Sequence, residues 1–124
     1  MFSYSKGEIP EEIGNLKFLS LLALDDNFFH GPIPLSFGNL SDLSILRLSN
    51  NQLSGPIPEK LATLSKLSDL RVFTNRFSGF VPVGLGNYSS LTVLHLAENN
   101  FTGHLPPQVC RGGNLVNFTA DSNN

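Results

Sequence analysis

A 24-residue pattern recurs along almost the whole chain and restricts its fold more than any other feature. The clearest copy runs from Leu40 to Thr63 (LSDLSILRLSNNQLSGPIPEKLAT), and its residues are numbered here as positions 1 to 24. Asparagine recurs at position 12, glycine at position 16 and proline at position 19, and no insertion breaks the count. A fixed period of this length predicts a solenoid, in which each copy forms one coil and successive coils stack.

The pattern divides the chain into copies that together form one predicted solenoid domain. The predicted units are a partial first copy at 1–15, full copies at 16–39, 40–63, 64–87 and 88–111, and a truncated last copy at 112–124. In the partial first copy, Ser3 stands where the asparagine is expected, so that coil departs from the pattern. Both ends of such a stack would expose apolar coil cross-sections, which predicts poor solubility or end-to-end association of this chain.

Within each copy, positions 5 to 11 predict a short strand with one buried face. Residues 44–50 are the best example, because apolar Leu46 and Leu48 lie two positions apart and would point to the same side. Strands from successive copies would stack in parallel, about 4.8 Å apart. A single coil has too small a core to offset the entropy of ordering its backbone, so neighbouring coils must share hydrogen bonds and cover each other.

The asparagines at position 12 predict a hydrogen-bonded ladder inside the solenoid. The chain turns out of the strand there and leaves inward-facing backbone groups without partners, and an amide side chain can pair with both N–H and C=O groups. The predicted ladder residues are Asn27, Asn51, Asn75, Asn99 and Asn123. Position 14 predicts a second buried column, made of Phe29, Leu53, Phe77 and Phe101.

Positions 6, 8, 10 and 11 are not needed for the coil, and we expect them to face outward on a concave surface. Arg47, Arg71 and His95 share position 8 and predict a basic column on three adjacent strands. With nearby apolar side chains they form a mixed patch suited to an extended peptide that carries a carboxylate or another anion. In the alternative interpretation, Asp69 neutralises the column and these residues serve only the framework or solubility. The candidate ligand-binding residues are Ile45, Arg47, Asp69, Arg71, Phe73, Val93 and His95.

Sequons of the form N-x-Ser/Thr predict glycosylation at Asn39, Asn87, Asn100 and Asn117. Asn39 and Asn87 fall at position 24, in a loop outside the predicted core. Asn117 falls at position 6 of the concave face, where a glycan would restrict ligand access at that end. None of the ladder asparagines lies in a sequon, in agreement with their predicted burial.

Three further residues stand out by their positions in the repeat. Phe28 and Phe80 fall where solvent-facing side chains are expected. They either make a lateral contact with a partner or glycan or have no special role, since isolated exposed aromatic residues are common. Cys110 is the only cysteine and occupies position 23, which holds glycine or alanine in the other copies. Such a small-residue position favours a buried and inert thiol.

Several classes of function find no support in the sequence. The net charge of −2 indicates no nucleic-acid partner, and no apolar run approaches the roughly 20 residues of a membrane span. The N-terminal MFSYSKGEIP has no apolar core of a signal peptide. His95 and Glu98 lie on one strand and its exit, but no third ligand or nucleophile converges with them. We therefore expect no metal site, no cofactor and no enzymatic activity in this chain.

The repeat resembles the leucine-rich repeat in its plant-specific 24-residue form, LxxLxxLxLxxNxLxGxIPxxLGxL, from about Gly7 to Asn124. The segment VCRGGNLVNFTADSNN further resembles ectodomain repeats of plant receptor-like kinases of the MIK type. The resemblance implies an α/β repeat solenoid, a right-handed superhelix with a parallel β-sheet on the concave face and short 3-10 or helical turns on the convex face. It also implies a short second strand at the Gly-x-Ile-Pro segment of each copy.

The resemblance further implies recognition at the cell surface. In that family, an extracellular ectodomain senses a secreted peptide or protein ligand through its concave face, and a co-receptor kinase ectodomain docks nearby. Membrane attachment would come only from a parent transmembrane segment, which with any kinase domain lies outside this chain. Residues 69–71 read Asp-x-Arg where the family's carboxylate-binding pair is Arg-x-Arg. The alternatives are a secreted inhibitor similar to polygalacturonase-inhibiting proteins and a truncated fragment without independent activity.

Overall fold

The fold is a stack of short strands and tight turns, and a computed structural model describes residues 5–87, 91–109, 117–119 and 123. The strands are β1 (Lys6–Glu8), β2 (Leu21–Ala23), β3 (Phe28–Gly31), β4 (Ile45–Arg47), β5 (Gln52–Gly55), β6 (Asp69–Arg71), β7 (Arg76–Phe80), β8 (Val93–His95), β9 (Asn100–Thr102) and β10 (Asn117–Thr119). The described residues also contain 3-10 helices at Glu11–Asn15, Leu35–Asn39, Glu59–Thr63 and Pro107–Val109.

Two parallel sheets run along the stack. The sheet with the order β10-β8-β6-β4-β2 is called here the concave sheet, and the second sheet has the order β1-β3-β5-β7-β9. In the concave sheet, partners lie one full period apart, because Leu21 pairs with Ile45 and Ile45 with Asp69. In the second sheet, His30 pairs with Gln52, two residues short of a period. These repeated registers place equivalent residues in columns and confirm the predicted parallel solenoid.

Each strand of the concave sheet covers positions 6 to 8 and is shorter than the predicted positions 5 to 11. Hydrogen bonds between coils continue beyond the strand, as the Asp26 N–H donates to the Ser49 carbonyl at 3.0 Å. At position 11, however, the backbone turns into the left-handed region, with φ of 55° to 60° at Asp26, Asn50, Thr74 and Glu98. The predicted strand is longer than the observed one because a left-handed residue cannot continue an extended strand.

The prediction that Gly-x-Ile-Pro forms the second strand is wrong by several residues. Strands β3 and β5 end at Gly31 and Gly55, which are the first residues of that segment. Both glycines have a φ close to +80°, which residues with a Cβ rarely adopt. The segment therefore forms the turn that leaves the strand, and it places Ile33 and Ile57 in the core at 2% and 3% exposure.

The turns that follow position 19 agree with the prediction for the convex side. Pro34 and Pro58 directly precede 3-10 helices, and their fixed φ suits that place. Neighbouring turns approach closely at position 23, since a Cβ added to Gly14 would lie 2.4 Å from the Ser36 Cβ. This close approach favours glycine at Gly14, whereas the equivalent position in the coil at 40–63 holds Ala62, which is 3% exposed. Cys110, which occupies the same position in a later copy, lies outside the described residues.

The core is a set of columns that run through the stack. In the coil at 40–63 the leucines at positions 1, 4, 7 and 9 have no exposed surface, as the pattern predicts. The predicted column at position 14 is confirmed, since all four of its members are buried. The rings of Phe77 and Phe101 within it are stacked, with centroids 6.1 Å apart and planes 10° apart. The coils therefore stabilise each other mainly by contacts between equivalent side chains.

The asparagines at position 12 link each coil to the one before it. The Asn51 Oδ1 accepts from the Phe29 N–H at 3.0 Å, and its Nδ2 donates to the carbonyls of Leu24 (3.0 Å) and Leu48 (3.1 Å). Equivalent bonds to the preceding coil are made by Asn27, Asn75, Asn99 and Asn123. These bonds fix the exits of the concave strands, which carry the candidate site.

Candidate functional site

The register of the concave sheet brings the predicted basic residues into one column. Arg47 pairs with Arg71 across β4 and β6, and Arg71 pairs with His95 across β6 and β8. All three side chains are half-buried. Because adjacent parallel strands lie about 4.8 Å apart, Arg71 has Arg47 on one side and His95 on the other along one surface.

Asp69 lies within this column and is 7% exposed. Its Oδ1 accepts from the Arg71 Nε at 2.9 Å and its Oδ2 from the Arg71 Nη2 at 3.1 Å. The Arg47 Nη2 lies 3.8 Å from the same Oδ2. A carboxylate with so little exposure needs charged partners, and Arg71 provides a two-point contact. With two arginines and one aspartate, the cluster keeps one positive charge, and the looser contact assigns it to Arg47.

The coil that contains Arg47 has two buried polar atoms without a hydrogen-bond partner, one of them in Arg47 itself. Among the described residues, the side-chain atoms of this kind are the Arg47 Nε and the Ser49 Oγ. Ser49 is 2% exposed, although position 10 was predicted to face outward. An unpaired buried donor costs about 1–3 kcal/mol, and one of these two atoms belongs to the arginine cluster.

Apolar side chains border the charged cluster. Ile45 and Val93 are half-buried at position 6, on either side of Asp69 in the sheet register. Phe73 is half-buried at position 10, and its ring centroid lies 5.7 Å from that of His95 at an interplanar angle of 58°. The sequence-predicted residues therefore form one continuous patch that combines apolar area with a buried carboxylate and two arginines.

Position 11 is predicted to lie on this surface, although its residues are not among the candidate ligand-binding residues. The Asn50 Nδ2 donates to the Asp26 Oδ1 at 2.8 Å, and the Thr74 Oγ1 donates to the Glu98 Oε2. Each bond joins neighbouring coils along the edge where the strands end. Asp26 and Glu98 remain exposed, so this edge adds carboxylates next to the basic column. The signal that could have indicated the edge is the Asp-Asn pair of the first two coils, since these residues favour the left-handed conformation.

The predicted glycosylation sites lie in different parts of the fold. Asn39, Asn87 and Asn100 are exposed, and the Asn39 Oδ1 accepts from the Lys60 Nζ at 2.9 Å. Asn117 begins β10 in the concave sheet, where its backbone pairs with Val93, and its side chain lies outside the description.

Phe28 and Phe80 lie on the second sheet, away from the concave patch. Phe28 is 52% exposed and Phe80 67% exposed, as predicted for their positions. The ring of Phe80 lies over Gly103, where an added Cβ would come within 2.5 Å of the Phe80 Cδ1.

Metal and membrane features are not found in the described residues. No group of three or more histidine, cysteine, aspartate or glutamate side chains there could hold a metal ion. Over the same residues, no helix has the length and apolar character needed to cross a bilayer.

Known proteins share both the repeat and the coil geometry. The Leucine Rich Repeat family model matches residues 42–64 and 90–111. Together with the two parallel sheets, the 3-10 turns and the asparagine ladder, this match defines the chain as a leucine-rich-repeat solenoid. The search of curated proteins gave no match.

Several structural neighbours of this solenoid are plant receptors, and another neighbour is a plant ice-binding protein with 36% identity and a TM-score of 0.83 over 95% of this chain and 38% of that chain. One of the receptors is the plant membrane receptor kinase GASSHO1/SCHENGEN3 from Arabidopsis thaliana in complex with CASPARIAN STRIP INTEGRITY FACTOR 2, with 37% identity and a TM-score of 0.90 over 95% of this chain and 14% of that chain. Another is the plant peptide hormone receptor RGFR1 in complex with RGF2, with 36% identity and a TM-score of 0.89 over 97% and 20%.

A further neighbour is the BIR3–SERK2 complex from Arabidopsis thaliana. It has 34% identity and a TM-score of 0.82, over 96% of this chain and 62% of that chain. The present chain therefore spans less than two thirds of each of these neighbours.

Proposed function

We propose that this chain is a peptide-binding part of the extracellular leucine-rich-repeat ectodomain of a plant receptor-like kinase. The observation that carries the proposal is the concave cluster of Arg47, Asp69 and Arg71 among half-buried apolar side chains. The neighbours support it, because GASSHO1/SCHENGEN3 and RGFR1 were solved in complex with CASPARIAN STRIP INTEGRITY FACTOR 2 and RGF2. The activity of the chain itself is binding, and a kinase would belong to another part of the protein.

The ligand in this proposal is a secreted, extended peptide with an anionic group. Arg71 is held by both oxygens of Asp69, so the anion pairs with Arg47, whose side chain has the looser contact with Asp69 and is 37% exposed. Ile45 and Val93 provide apolar contact on either side. The ring pair of Phe73 and His95 supplies further contact area on the next coils.

The same proposal assigns partners and location. A co-receptor kinase ectodomain docks beside the bound peptide, and the similarity to the BIR3–SERK2 complex supports such a partner. The chain acts at the cell surface, where the exposed Asn39 and Asn87 carry glycans. The segment at 109–124 favours a receptor of the MIK type as the finer assignment.

The proposal is tested by selecting a random peptide library on the purified chain and titrating the selected peptides into variants. Arg47→Ala should weaken binding roughly tenfold, because a charge-assisted hydrogen bond is lost. Its thermal unfolding should stay unchanged, since Asp69 keeps Arg71 as partner. Arg76→Ala is the matched control, because Arg76 is an exposed arginine on the second sheet. Equal affinity of wild type and Arg47→Ala for every selected peptide would refute the concave site.

Asp69→Asn distinguishes a binding role from a purely structural one. If the arginines bind an anionic peptide, removal of the competing carboxylate should strengthen binding several-fold, because both guanidinium groups become available. If Asp69 only neutralises the column, the variant should lower the melting temperature and leave peptide affinity unchanged. Isothermal titration and thermal unfolding on the same preparations measure the two effects.

A further inference from the structure

A second charged region lies next to the arginine cluster, where β6 and β8 end. We propose that Phe73, Thr74 and Glu98 form a subsite for a positively charged group of the peptide, such as a lysine or arginine side chain or an N-terminal amine. This subsite rests on the proposed peptide-binding function and adds a second charge to the ligand. Three independent features of these residues support it.

The first feature is the backbone at position 11, which is left-handed in all four described coils. Asp26 and Asn50 suit this conformation, because short polar side chains tolerate it best. Thr74 (φ 55°) is β-branched and Glu98 (φ 58°) has a long side chain, so both adopt it at a cost. Two adjacent coils thus keep unfavourable residues beside the candidate site. Backbone strain of this kind concentrates at functional positions, where the side chain is retained for its chemistry.

The second feature is a carboxylate that is fixed in place but not neutralised. The Thr74 Oγ1 donates to the Glu98 Oε2 across neighbouring coils. Glu98 is exposed, and the ion pairs found among the described residues do not include it. A neutral donor orients the carboxylate without removing its charge, so a second oxygen remains available to a cation.

The third feature is an aromatic ring on the residue that precedes Thr74. Position 10 holds Asp25, Ser49, Phe73 and Ala97 in successive coils, so Phe73 is aromatic where its neighbours are small or polar. It directly precedes Thr74 and its ring contacts His95. An aromatic face next to a carboxylate attracts ammonium and guanidinium groups and also accommodates the apolar stem of lysine or arginine.

The positions of the two subsites predict the charge pattern of the ligand. Arg47 and Glu98 lie two coils apart, which corresponds to roughly 10 Å along the stack, and three positions apart in the repeat, which adds roughly 10 Å across it. An extended peptide covers the resulting diagonal of about 14 Å with about four residues. The ligand should therefore carry an acidic and a basic group about four residues apart, with the acid on the coil at 40–63 and the base on the coil at 88–111.

Glu98→Gln tests the charge at constant side-chain length and backbone cost. A random peptide library is selected in parallel on the wild type and on this variant, and the frequency of lysine and arginine is scored. Wild type should enrich basic residues, and Glu98→Gln should abolish the enrichment and bind wild-type-selected peptides roughly tenfold more weakly. Asp26→Asn is the matched control, because it removes an exposed carboxylate at the same position of the repeat, in the coil at 16–39. It should change neither the enrichment of basic residues nor the affinity for the selected peptides.

Glu98→Asn separates binding from stability. Asparagine suits the left-handed backbone, so this variant should raise the melting temperature by about 3 °C while it removes the preference for basic peptides. Enrichment of basic residues that survives in Glu98→Gln, or selected peptides without such enrichment, would overturn the subsite and leave the proposed peptide binding intact. Failure to select any peptide that Arg47→Ala weakens would instead overturn the proposed function, and the subsite with it.

Discussion

Replacement of Asn75 by alanine tests whether the asparagine ladder stabilises the solenoid through one critical bond. Asn75 lies in the middle of the described stack, with coils on both sides. Its Oδ1 accepts from the Leu53 N–H at 3.0 Å, and its Nδ2 donates to the Leu48 and Val72 carbonyls at 2.9 and 3.2 Å. Leu53 and Leu48 have no exposed surface, so water cannot replace the lost partner.

The expected magnitude follows from which groups lose their last partner. The Leu48 carbonyl still accepts from the Asn51 Nδ2 at 3.1 Å, so it remains paired in the variant. The Leu53 N–H has no second acceptor of this kind and becomes a buried, unpaired donor. Such a group costs about 1–3 kcal/mol, and we expect about 2 kcal/mol for Asn75→Ala. For a chain of this size, that corresponds to a decrease in melting temperature of about 6–10 °C.

The measurement is urea and thermal unfolding followed by circular dichroism, with Asn27→Ala as the control. The Asn27 Oδ1 accepts from the N–H of Ser5 at 2.8 Å, but Ser5 is exposed and water can take over this bond. The control should therefore lose less than about 1 kcal/mol. If Asn75→Ala unfolds like the wild type, or if both variants lose the same free energy, the reasoning from burial is refuted.

Four further predictions follow from the same structure. Phe77→Ala should lower the free energy of unfolding in urea by about 3–5 kcal/mol, because the Phe77 ring is fully buried. Phe80→Ala should lower it by less than about 0.5 kcal/mol, because Phe80 is 67% exposed, and equal losses would contradict the assignment of the core. Gly55→Ala should cost about 1–2 kcal/mol because φ is +78°, although the new Cβ has room, so an unaffected melting temperature would show that the turn can relax. Phe18→Asp should reduce end-to-end association in light scattering, because Phe18 is 89% exposed; a wild-type chain that is monomeric at high concentration would contradict this. Asn39→Gln should remove one glycan from the secreted chain by mass spectrometry, and an unchanged mass would exclude that site.

The coil could be predicted from the sequence because its requirements repeat without interruption. Leu46, Asn51, Gly55 and Pro58 each meet a need that any coil of this shape has, namely a filled core, a paired backbone, a left-handed turn and a helix start. Repetition multiplies a weak local signal into a strong one. The strand lengths could not be predicted as well, since polar residues at position 11 fit both a strand and the left-handed turn that ends it.

The candidate site was predictable only in outline. The shared position of Arg47 and Arg71 follows from the period alone, and so does the closeness of Asp69 to both. The burial of Asp69 does not, because it depends on how the side chains of Arg71, in the same coil, and Arg47, in the preceding coil, fold over it. The role proposed for Glu98 could not be predicted, because it rests on a hydrogen bond from Thr74, in a different coil, and on a backbone conformation that glutamate itself does not indicate.

The asparagine ladder gives the solenoid a direction. Each asparagine side chain bonds to the coil before it, as Asn99 does to the Phe77 N–H and the Val72 carbonyl, whereas within its own coil it reaches only carbonyls. When a coil unfolds, the position-14 N–H of the preceding coil therefore loses its acceptor. The asparagine of the following coil, in contrast, can still donate to carbonyls of its own coil. Unfolding of the C-terminal coil should thus be followed by hydrogen exchange of the position-14 amide in the coil before it. Unfolding of the N-terminal coil should not cause such exchange in the coil after it. Two ends that look equivalent in the repeat pattern are unequal as starting points for unfolding.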